Sequence, residues 1–178
     1  SYKISFLDGL FNESALSEIA SAETKNMSDE ELMTMVQEAS FNYYWDGAET
    51  ESGLSKENTN GRQNMIATGA SGFGIMALIA GTERGFITRT QAVERFTKIV
   101  NFIEKADKYH GAVAHFIDGK TGKTEPFFGK RDNGADLVET SFFVQGLLAA
   151  HQYFNKDNFE EKNIRTKIDK FWKEIEWD

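Results

Sequence analysis

Three acidic side chains, Asp132, Asp136 and Glu139, follow one another at intervals of four and three residues. On an α-helix this spacing places them in one narrow sector, about 10 Å from end to end. Glu139 falls in a segment whose other residues are almost all apolar, so its carboxylate must be desolvated, paired or turned towards a water-filled cavity. The spacing therefore predicts a carboxylate cluster that could carry acid–base chemistry.

Clustered carboxylates suit the hydrolysis of glycosidic bonds. Neighbouring charge favours the protonated form of one acid, which can protonate a leaving oxygen while the other activates water or attacks. Structural interpretations stay open for two of the three residues. Asp132 could be only a helix N-cap, and Asp136 could interact only with the dipole of the first turn. We take Asp136 and Glu139 as the candidate acid–base pair, with Asp132 in support.

The other residues that could do chemistry are histidines and aromatic residues. The three histidines lack the spacing of metal ligands, so we predict no metal site. His115 could face the same cleft as the acids. Several aromatic residues at the loop-side ends of elements could stack on a sugar ring, although most are interpreted as core. They are Tyr43, Tyr44, Trp45, Phe116, Phe127 and Phe128.

The glycine-rich segment 69–74 is superficially similar to a phosphate-binding loop. It matches neither the dinucleotide fingerprint nor the P-loop, and we predict no strand before it. Its glycines instead indicate close packing between helices and an open helix N-terminus.

Composition excludes several classes of protein. The chain has 178 residues, with 20 basic and 28 acidic side chains and a net charge of −8. Because it has no basic run, it lacks the charge pattern that nucleic-acid binding requires. The absence of cysteine excludes disulfides, thiolate zinc sites and cysteine nucleophiles. Segment 64–82 is the longest nearly uncharged stretch, and its four glycines make it a poor membrane span.

Hydrophobic periodicity predicts five helices that differ in their exposed faces. A lead-in over 1–27 contains one short predicted helix, at about 13–22. The first long helix begins at Ser28, in a capping box with Glu31. Between the third and fourth helices the period changes to two residues over 111–130, which predicts a β-hairpin with its turn at 118–123. The first, second, fourth and fifth long helices are predicted over 28–46, 68–82, 134–154 and 160–176, and the third is predicted to begin at 88.

The long helices alternate between amphipathic and apolar nearly all round. A simple bundle would give every helix one face towards water, whereas alternation indicates two concentric layers with the apolar helices inside. A helical-repeat solenoid would also alternate, but it needs self-similarity at a fixed period, and none is found. The predicted fold is therefore all-α, as part of an α/α toroid with an inserted β-hairpin.

Several motifs resemble, in order and spacing, those of the bacterial glucoamylase-like glycoside hydrolases, whose characterised members are endo-β-1,2-glucanases. The principal ones lie at 71–77, 83–89 and 136–142, and further matches lie at 41–46, 52–54 and 174–178. The resemblance covers about 28–178 and implies the N-terminal half of an (α/α)6 toroid. It also implies a site where the inner helices begin, with Asp132, Asp136 and Glu139 among its acids and further essential acids beyond residue 178.

We therefore expect a hydrolase of a β-linked glucan oligosaccharide or polysaccharide that acts by inversion without a metal or organic cofactor. Arg131, His115, Trp45 and Phe116 are the candidate substrate contacts. Two alternatives stay open: an exo-acting hydrolase of α-linked glucose, and a non-catalytic helical binding module. We expect the 178-residue chain alone to be inactive and to self-associate. We also expect a periplasmic or secreted protein whose signal peptide is absent from this sequence.

Overall fold

Five helices and two short strands make up the regular structure of residues 1–177, which a computed structural model describes. Asp178, the end of the closing motif, lies outside the described residues. The chain divides into two units, Ser1–Met35 and the remainder from Val36 onwards. The elements are α1 (Asp29–Trp45), β1 (Met65–Ala67), α2 (Thr68–Glu83), α3 (Arg89–Lys105), β2 (Phe116–Asp118), α4 (Leu137–Tyr153) and α5 (Phe159–Lys173).

The first unit begins with a hairpin-like pair of extended segments. Isolated antiparallel bridges join Tyr2 to Ala20 and Leu7 to Glu13. The carboxylate of Asp8 accepts two backbone N–H bonds from the turn between them, at 2.8 and 2.9 Å. The short helix predicted over 13–22 is wrong, because the turn at Asp8 leads the chain back and its backbone groups pair across the hairpin.

Two of the helices begin at the capping boxes that the sequence contains. At the start of α1, the Ser28 hydroxyl accepts the Glu31 N–H at 3.3 Å, and the Glu31 carboxylate accepts the Ser28 N–H at 2.8 Å. Thr88 and Gln91 make the same reciprocal pair of bonds at the start of α3. These local signals fix where the helices begin, as predicted.

The two apolar helices, α2 and α4, form the most extensive helix pair among the described residues. Their backbones approach closely at glycines. A Cβ placed on Gly72 would lie 2.1 Å from the Phe142 carbonyl oxygen, and one on Gly146 would lie 2.3 Å from the Gly72 carbonyl oxygen. The close packing predicted from the glycine-rich segment is therefore confirmed, since any side chain at either position would force the helices apart.

The amphipathic helices cover this pair from outside. Helix α3 packs against α5 and α2, and α5 also packs against α4. The buried side chains of α3 lie along one face of the helix, with Phe96 and Ile99 fully enclosed. Helices α2 and α4 keep one apolar face exposed, where the rings of Phe73 and Phe142 contact each other at 5.3 Å. The alternation of amphipathic and apolar helices is thus a division into outer and inner helices.

The strands differ from the prediction. Strand β2 pairs in antiparallel register with β1, with Ile66 opposite Ile117, and both of these side chains are buried. The predicted hairpin within 111–130 is present but short: the bridge between Ile117 and Thr124 is flanked by hydrogen bonds from the Asp118 N–H to the Lys123 carbonyl at 2.8 Å and from the Glu125 N–H to the Phe116 carbonyl at 2.9 Å. The prediction that no strand precedes the glycine-rich segment is wrong, because β1 ends directly before α2, and its three residues are too few for a two-residue period to be detected.

The turn after β2 lies where the sequence places it. Asp118 accepts the backbone N–H groups of Lys120 and Thr121 at 3.0 and 2.8 Å. Gly122 has a positive φ of 73°, a conformation that a glycine adopts without strain. In the described part of the chain, the helices are too short or too polar to cross a membrane.

Candidate active site

Asp136 caps the N-terminus of α4. Its Oδ1 accepts the backbone N–H groups of Val138 and Glu139 at 2.9 and 3.0 Å. Helix α4 therefore begins at Leu137, and Asp132 lies in the preceding loop. The prediction that the three acids share one helical sector is wrong, and the N-cap is Asp136 rather than Asp132. The physical reason is that Asp136, in extended conformation, accepts two N–H groups of the first turn and so sets the N-terminal boundary of the helix.

The segment 113–115 is fastened to the first turns of both inner helices. The buried Thr140 hydroxyl donates to the Val113 carbonyl and accepts the Val113 N–H, both at 3.1 Å. From α2, the buried Thr68 hydroxyl donates to the Ala114 carbonyl at 2.8 Å, and the Thr68 N–H donates to the His115 carbonyl at 3.1 Å. These four bonds fix the backbone that carries His115.

The His115 imidazole lies between the two candidate acid–base residues. Its Nδ1 is 3.7 Å from Asp136 Oδ2, and its Nε2 is 4.0 Å from Glu139 Oε1. The three side chains are 27%, 31% and 21% exposed for His115, Asp136 and Glu139. They therefore share one partly enclosed site that solvent or a ligand can reach.

The second oxygen of Glu139 is bound to the N-terminus of α2. Glu139 Oε2 accepts the Gly69 N–H at 3.0 Å. Ala67 is the N-cap residue of α2, and its methyl side chain cannot cap the helix, so the first-turn N–H groups are available to a carboxylate from α4. A Cβ on Gly69 would lie 2.1 Å from Glu139 Oε2. The open helix N-terminus predicted from the sequence is the site that holds Glu139.

Aromatic residues enclose one side of His115. The Phe116 ring stacks on the imidazole at 4.2 Å and is buried, so it supports the histidine from the protein interior. Phe128 contacts the imidazole edge to face at 5.4 Å and is exposed. Asp132 contributes to this side of the site, since its Oδ2 accepts the Phe128 N–H at 3.2 Å.

The two other predicted substrate contacts are not brought into this cluster. Trp45, at the end of α1, stacks on Phe41 at 6.1 Å, and the Arg95 guanidinium lies 4.2 Å above its ring. It packs against the hydrophobic core. Arg131 is exposed in the loop that precedes α4. Sequence position at the end of an element did not distinguish an aromatic residue of the core from one at the site.

Three residues that position Glu139 or the backbone of His115 were not predicted as part of the site. They are Gly69, Thr68 and Thr140, all in the first turns of the inner helices. The glycine-rich motif was the available signal for Gly69, but its partner is 70 positions away in sequence. Among residues 1–177, histidines and carboxylates do not gather into a group of three or more with metal-binding geometry.

Comparison with known proteins shows close similarity over almost the whole chain. It is 64% identical over 176 residues to an exo-β-1,2-glucooligosaccharide sophorohydrolase (non-reducing end) of Parabacteroides distasonis, which matches 99% of this chain. The crystal structure of a β-1,2-glucanase from Parabacteroides distasonis superimposes with a TM-score of 0.86 at 63% identity, covering 98% of this chain and 25% of that one. No family model matches the sequence.

A third relative carries a sugar ligand. The endo-β-1,2-glucanase from Chitinophaga pinensis, solved as a complex with sophorotriose and glucose, superimposes with a TM-score of 0.81 at 48% identity. The match covers 85% of this chain and 38% of that one. The present chain spans about a quarter (24%) of the length of the curated relative.

The chain is therefore similar in sequence and fold to one part of larger proteins that are named as β-1,2-glucan hydrolases, which agrees with the resemblance of the motifs. Within that class, the relatives named above act on β-1,2-linked glucans according to their names.

Proposed function

We propose that the protein containing this chain is a glycoside hydrolase that cleaves a β-1,2-linked glucan. The observation that carries the proposal is the placement of Asp136 and Glu139, both at the N-terminus of α4, on either side of His115. The named activities of relatives at 64% and 48% identity support the choice of linkage.

Each carboxylate uses one oxygen for structure and directs the other towards the shared site. Asp136 binds the first turn of α4 through Oδ1, and Glu139 binds the first turn of α2 through Oε2. The remaining oxygens, Oδ2 and Oε1, both face His115. Such an arrangement suits a pair in which one group protonates the leaving oxygen and the other activates water or holds the sugar at the cleavage point. We further propose that the reaction proceeds with inversion and uses no metal or organic cofactor.

The chain contains only part of the proposed enzyme. Two inner helices are present, and their exposed apolar faces require neighbours. We propose that the complete protein closes these helices into an (α/α)6 toroid and that further acids of the site come from the rest of that toroid. We also propose that the enzyme is periplasmic or secreted, where a glucan substrate would reach it.

The test is hydrolysis by the full-length protein, with β-1,2-glucan and starch as parallel substrates. We expect reducing ends to appear from β-1,2-glucan, with chromatography separating release of a disaccharide from random internal cleavage. Hydrolysis of starch alone would contradict the proposed linkage and support the α-glucan alternative. Binding of β-1,2-gluco-oligosaccharides without any turnover would identify a non-catalytic binding module instead.

A further inference from the structure

Two adjacent phenylalanines stand at the surface beside His115. The side chains of Phe127 and Phe128 are 50% and 67% exposed, and their rings contact each other at 5.2 Å. Both rest on the buried ring of Phe116, at 5.4 and 5.6 Å. Because large apolar side chains on a surface are costly to hydrate, such a pair next to a polar site suggests a ligand with an apolar face.

The loop that carries these rings is held by a succession of tight turns. The Phe127 N–H donates to the Glu125 carbonyl at 2.8 Å, and the Gly129 N–H donates to the Pro126 carbonyl at 3.1 Å. Gly129 has a φ of 112°, which a residue with a side chain would rarely adopt. The loop therefore presents its rings in a defined orientation.

Asp132 holds the C-terminal part of the same loop through two hydrogen bonds. Its Oδ2 accepts the Phe128 N–H at 3.2 Å, and its own N–H donates to the Gly129 carbonyl at 2.9 Å. Asp132 thus acts on the position of Phe128, and in this structure it is a positioning residue for the aromatic loop.

The rings of Phe127 and Phe128 differ in how much of their faces is free to contact a ligand. The Arg62 guanidinium lies 5.6 Å over the Phe127 ring and pairs with Glu125 at 3.0 Å, so one face of Phe127 is already occupied. Phe128 is the more exposed ring and lies closer to the carboxylates, since it contacts His115 at 5.4 Å. Phe128 is therefore the ring whose face is available to a ligand bound at the acid pair.

We propose that Phe128 is the stacking surface for a glucosyl residue next to the bond held by Asp136 and Glu139, with Asp132 fixing its position. The proposal rests on the proposed function. A pyranose ring has an apolar C–H face that packs on an aromatic ring while its hydroxyls stay in contact with water and polar groups. The ligand class is a β-1,2-gluco-oligosaccharide of at least two sugar units, since one unit lies at the acids and the next at Phe128.

The experiment compares variants of the full-length protein in steady-state hydrolysis of β-1,2-gluco-oligosaccharides. Phe128→Ala removes the ring, Phe128→Leu keeps apolar bulk without a flat face, and Phe128→Tyr restores the face. Phe159→Ala is the matched control, because Phe159 is a still more exposed phenylalanine at the start of α5 that belongs to none of the ring contacts around His115. Binding of sophorotriose to a Glu139→Gln background is measured by calorimetry for the same set.

We expect KM and the dissociation constant to rise roughly tenfold in Phe128→Ala and Phe128→Leu, and to return towards the parent value in Phe128→Tyr. Phe159→Ala should match the parent. If the parent hydrolyses β-1,2-glucan but Phe128→Ala has unchanged KM and affinity, the stacking role is overturned and the proposed function stands. A large fall in melting temperature with unchanged affinity would show instead that the ring packs against the rest of the chain. Absence of both turnover and binding in the parent would overturn both proposals.

Discussion

The backbone N–H of Gly69 donates a hydrogen bond to Glu139 Oε2 at 3.0 Å, joining the first turns of α2 and α4. A helix N-terminus has free N–H groups and a partial positive charge, so it stabilises a carboxylate placed against it. The Glu139 carboxylate thus caps the N-terminus of α2, although Glu139 itself belongs to α4. The same bond fixes the orientation of its carboxylate, because with Oε2 bound to Gly69 the other oxygen is directed at His115.

The first prediction concerns the space at Gly69. A Cβ there would lie 2.1 Å from Glu139 Oε2, so Gly69→Ala must displace the carboxylate. In the full-length protein, we expect kcat/KM on β-1,2-glucan to fall about 10²-fold, the effect of a misplacement near 1 Å at a reacting group. Alanine favours helices over glycine, so the melting temperature should change little.

Gly134→Ala is the matched control for that substitution, because a Cβ on Gly134 would meet nothing within 4 Å. This variant should keep parental activity. Equal activity in Gly69→Ala would mean that the contact between Gly69 and Glu139 does not position a reacting group.

The second prediction concerns the two acids themselves. Asp136→Asn and Glu139→Gln should each keep the fold and lower the turnover of the full-length protein by about 10²-fold or more, the usual contribution of a general acid or base. Asparagine is as good an N-cap as aspartate, so Asp136→Asn separates the capping role of Asp136 from its charge. Thermal unfolding and hydrolysis are measured on the same samples. Near-parental hydrolysis by both variants would show that the two acids have only a structural role.

The third prediction tests how the His115 segment is fastened. Thr140→Val keeps the side-chain shape but removes the hydroxyl that binds both backbone groups of Val113. We expect the free energy of unfolding to fall by about 1–3 kcal/mol, the cost of leaving buried polar groups unpaired. We also expect kcat/KM to fall, because the backbone that holds His115 loosens. Thr140→Ser keeps the hydroxyl and should stay near the parent in both measurements.

The fourth prediction concerns a buried ion pair between α3 and α5. Arg89 donates from Nε and Nη2 to the two carboxylate oxygens of Glu161, at 3.0 and 2.9 Å, and Glu161 is fully buried. Arg89 also donates to the Tyr153 carbonyl at 2.9 Å, which ties in the end of α4. Glu161→Gln should lower the free energy of unfolding by about 3 kcal/mol, since it leaves a largely enclosed guanidinium without its anion. Glu160→Gln, an exposed neighbour, is the control.

The same pair predicts a dependence of stability on pH. Burial alone raises the pKa of Glu161, but the hydrogen bonds from Arg89 and the Lys156 N–H outweigh it and hold the pKa below its ordinary value of 4.5. A lowered pKa in the folded state stabilises the protein above pH 4.5, and this stabilisation is lost as the pH falls through the folded-state value. In chemical denaturation, the difference between the parent and Glu161→Gln should therefore shrink below pH 4.5. A difference that stays constant with pH would contradict the assignment.

The last prediction concerns the 178-residue chain by itself. The exposed apolar face of α2 and α4 includes Phe73, Phe142 and Val138, and a large exposed patch of this kind favours association. We expect light scattering at high micromolar concentration to show self-association, and Phe73→Lys to reduce it. We also expect no glucanase turnover, because the chain spans 24% of its curated relative. A monomer, or measurable turnover, would contradict the corresponding part of this prediction.

Local features of the fold follow from the sequence because they depend on neighbouring residues. The capping boxes at Ser28 and Thr88 and the turn at Asp118 are made by side chains within a few positions of the groups they bind. The division into inner and outer helices also follows, since an apolar surface all round a helix leaves no face for solvent. The motifs resemble those of a family of glycoside hydrolases, and this resemblance predicted the class of enzyme as well as the fold.

Other features did not follow from the spacing or the periodicity of the sequence. The three acids have helical spacing in sequence, yet α4 begins only after Asp136, which caps its first turn. Asp132 therefore lies outside the helix, where it accepts the Phe128 N–H. Strand β1 is too short to show a period, and it forms by pairing with β2 and, through an isolated bridge at Ile66, with Lys56.

The sequence alone predicts where most helices begin, which of them are buried, and that Asp136 and Glu139 lie at the N-terminus of an apolar helix. The packing of distant segments determines that Glu139 accepts the Gly69 N–H of α2, that His115 lies between the two acids, and that Trp45 packs against the core. The reason is that periodicity records which face of a helix is apolar. The partner of a polar side chain is set by how distant helices pack, and at Gly69 that packing depends on the space left by a missing Cβ.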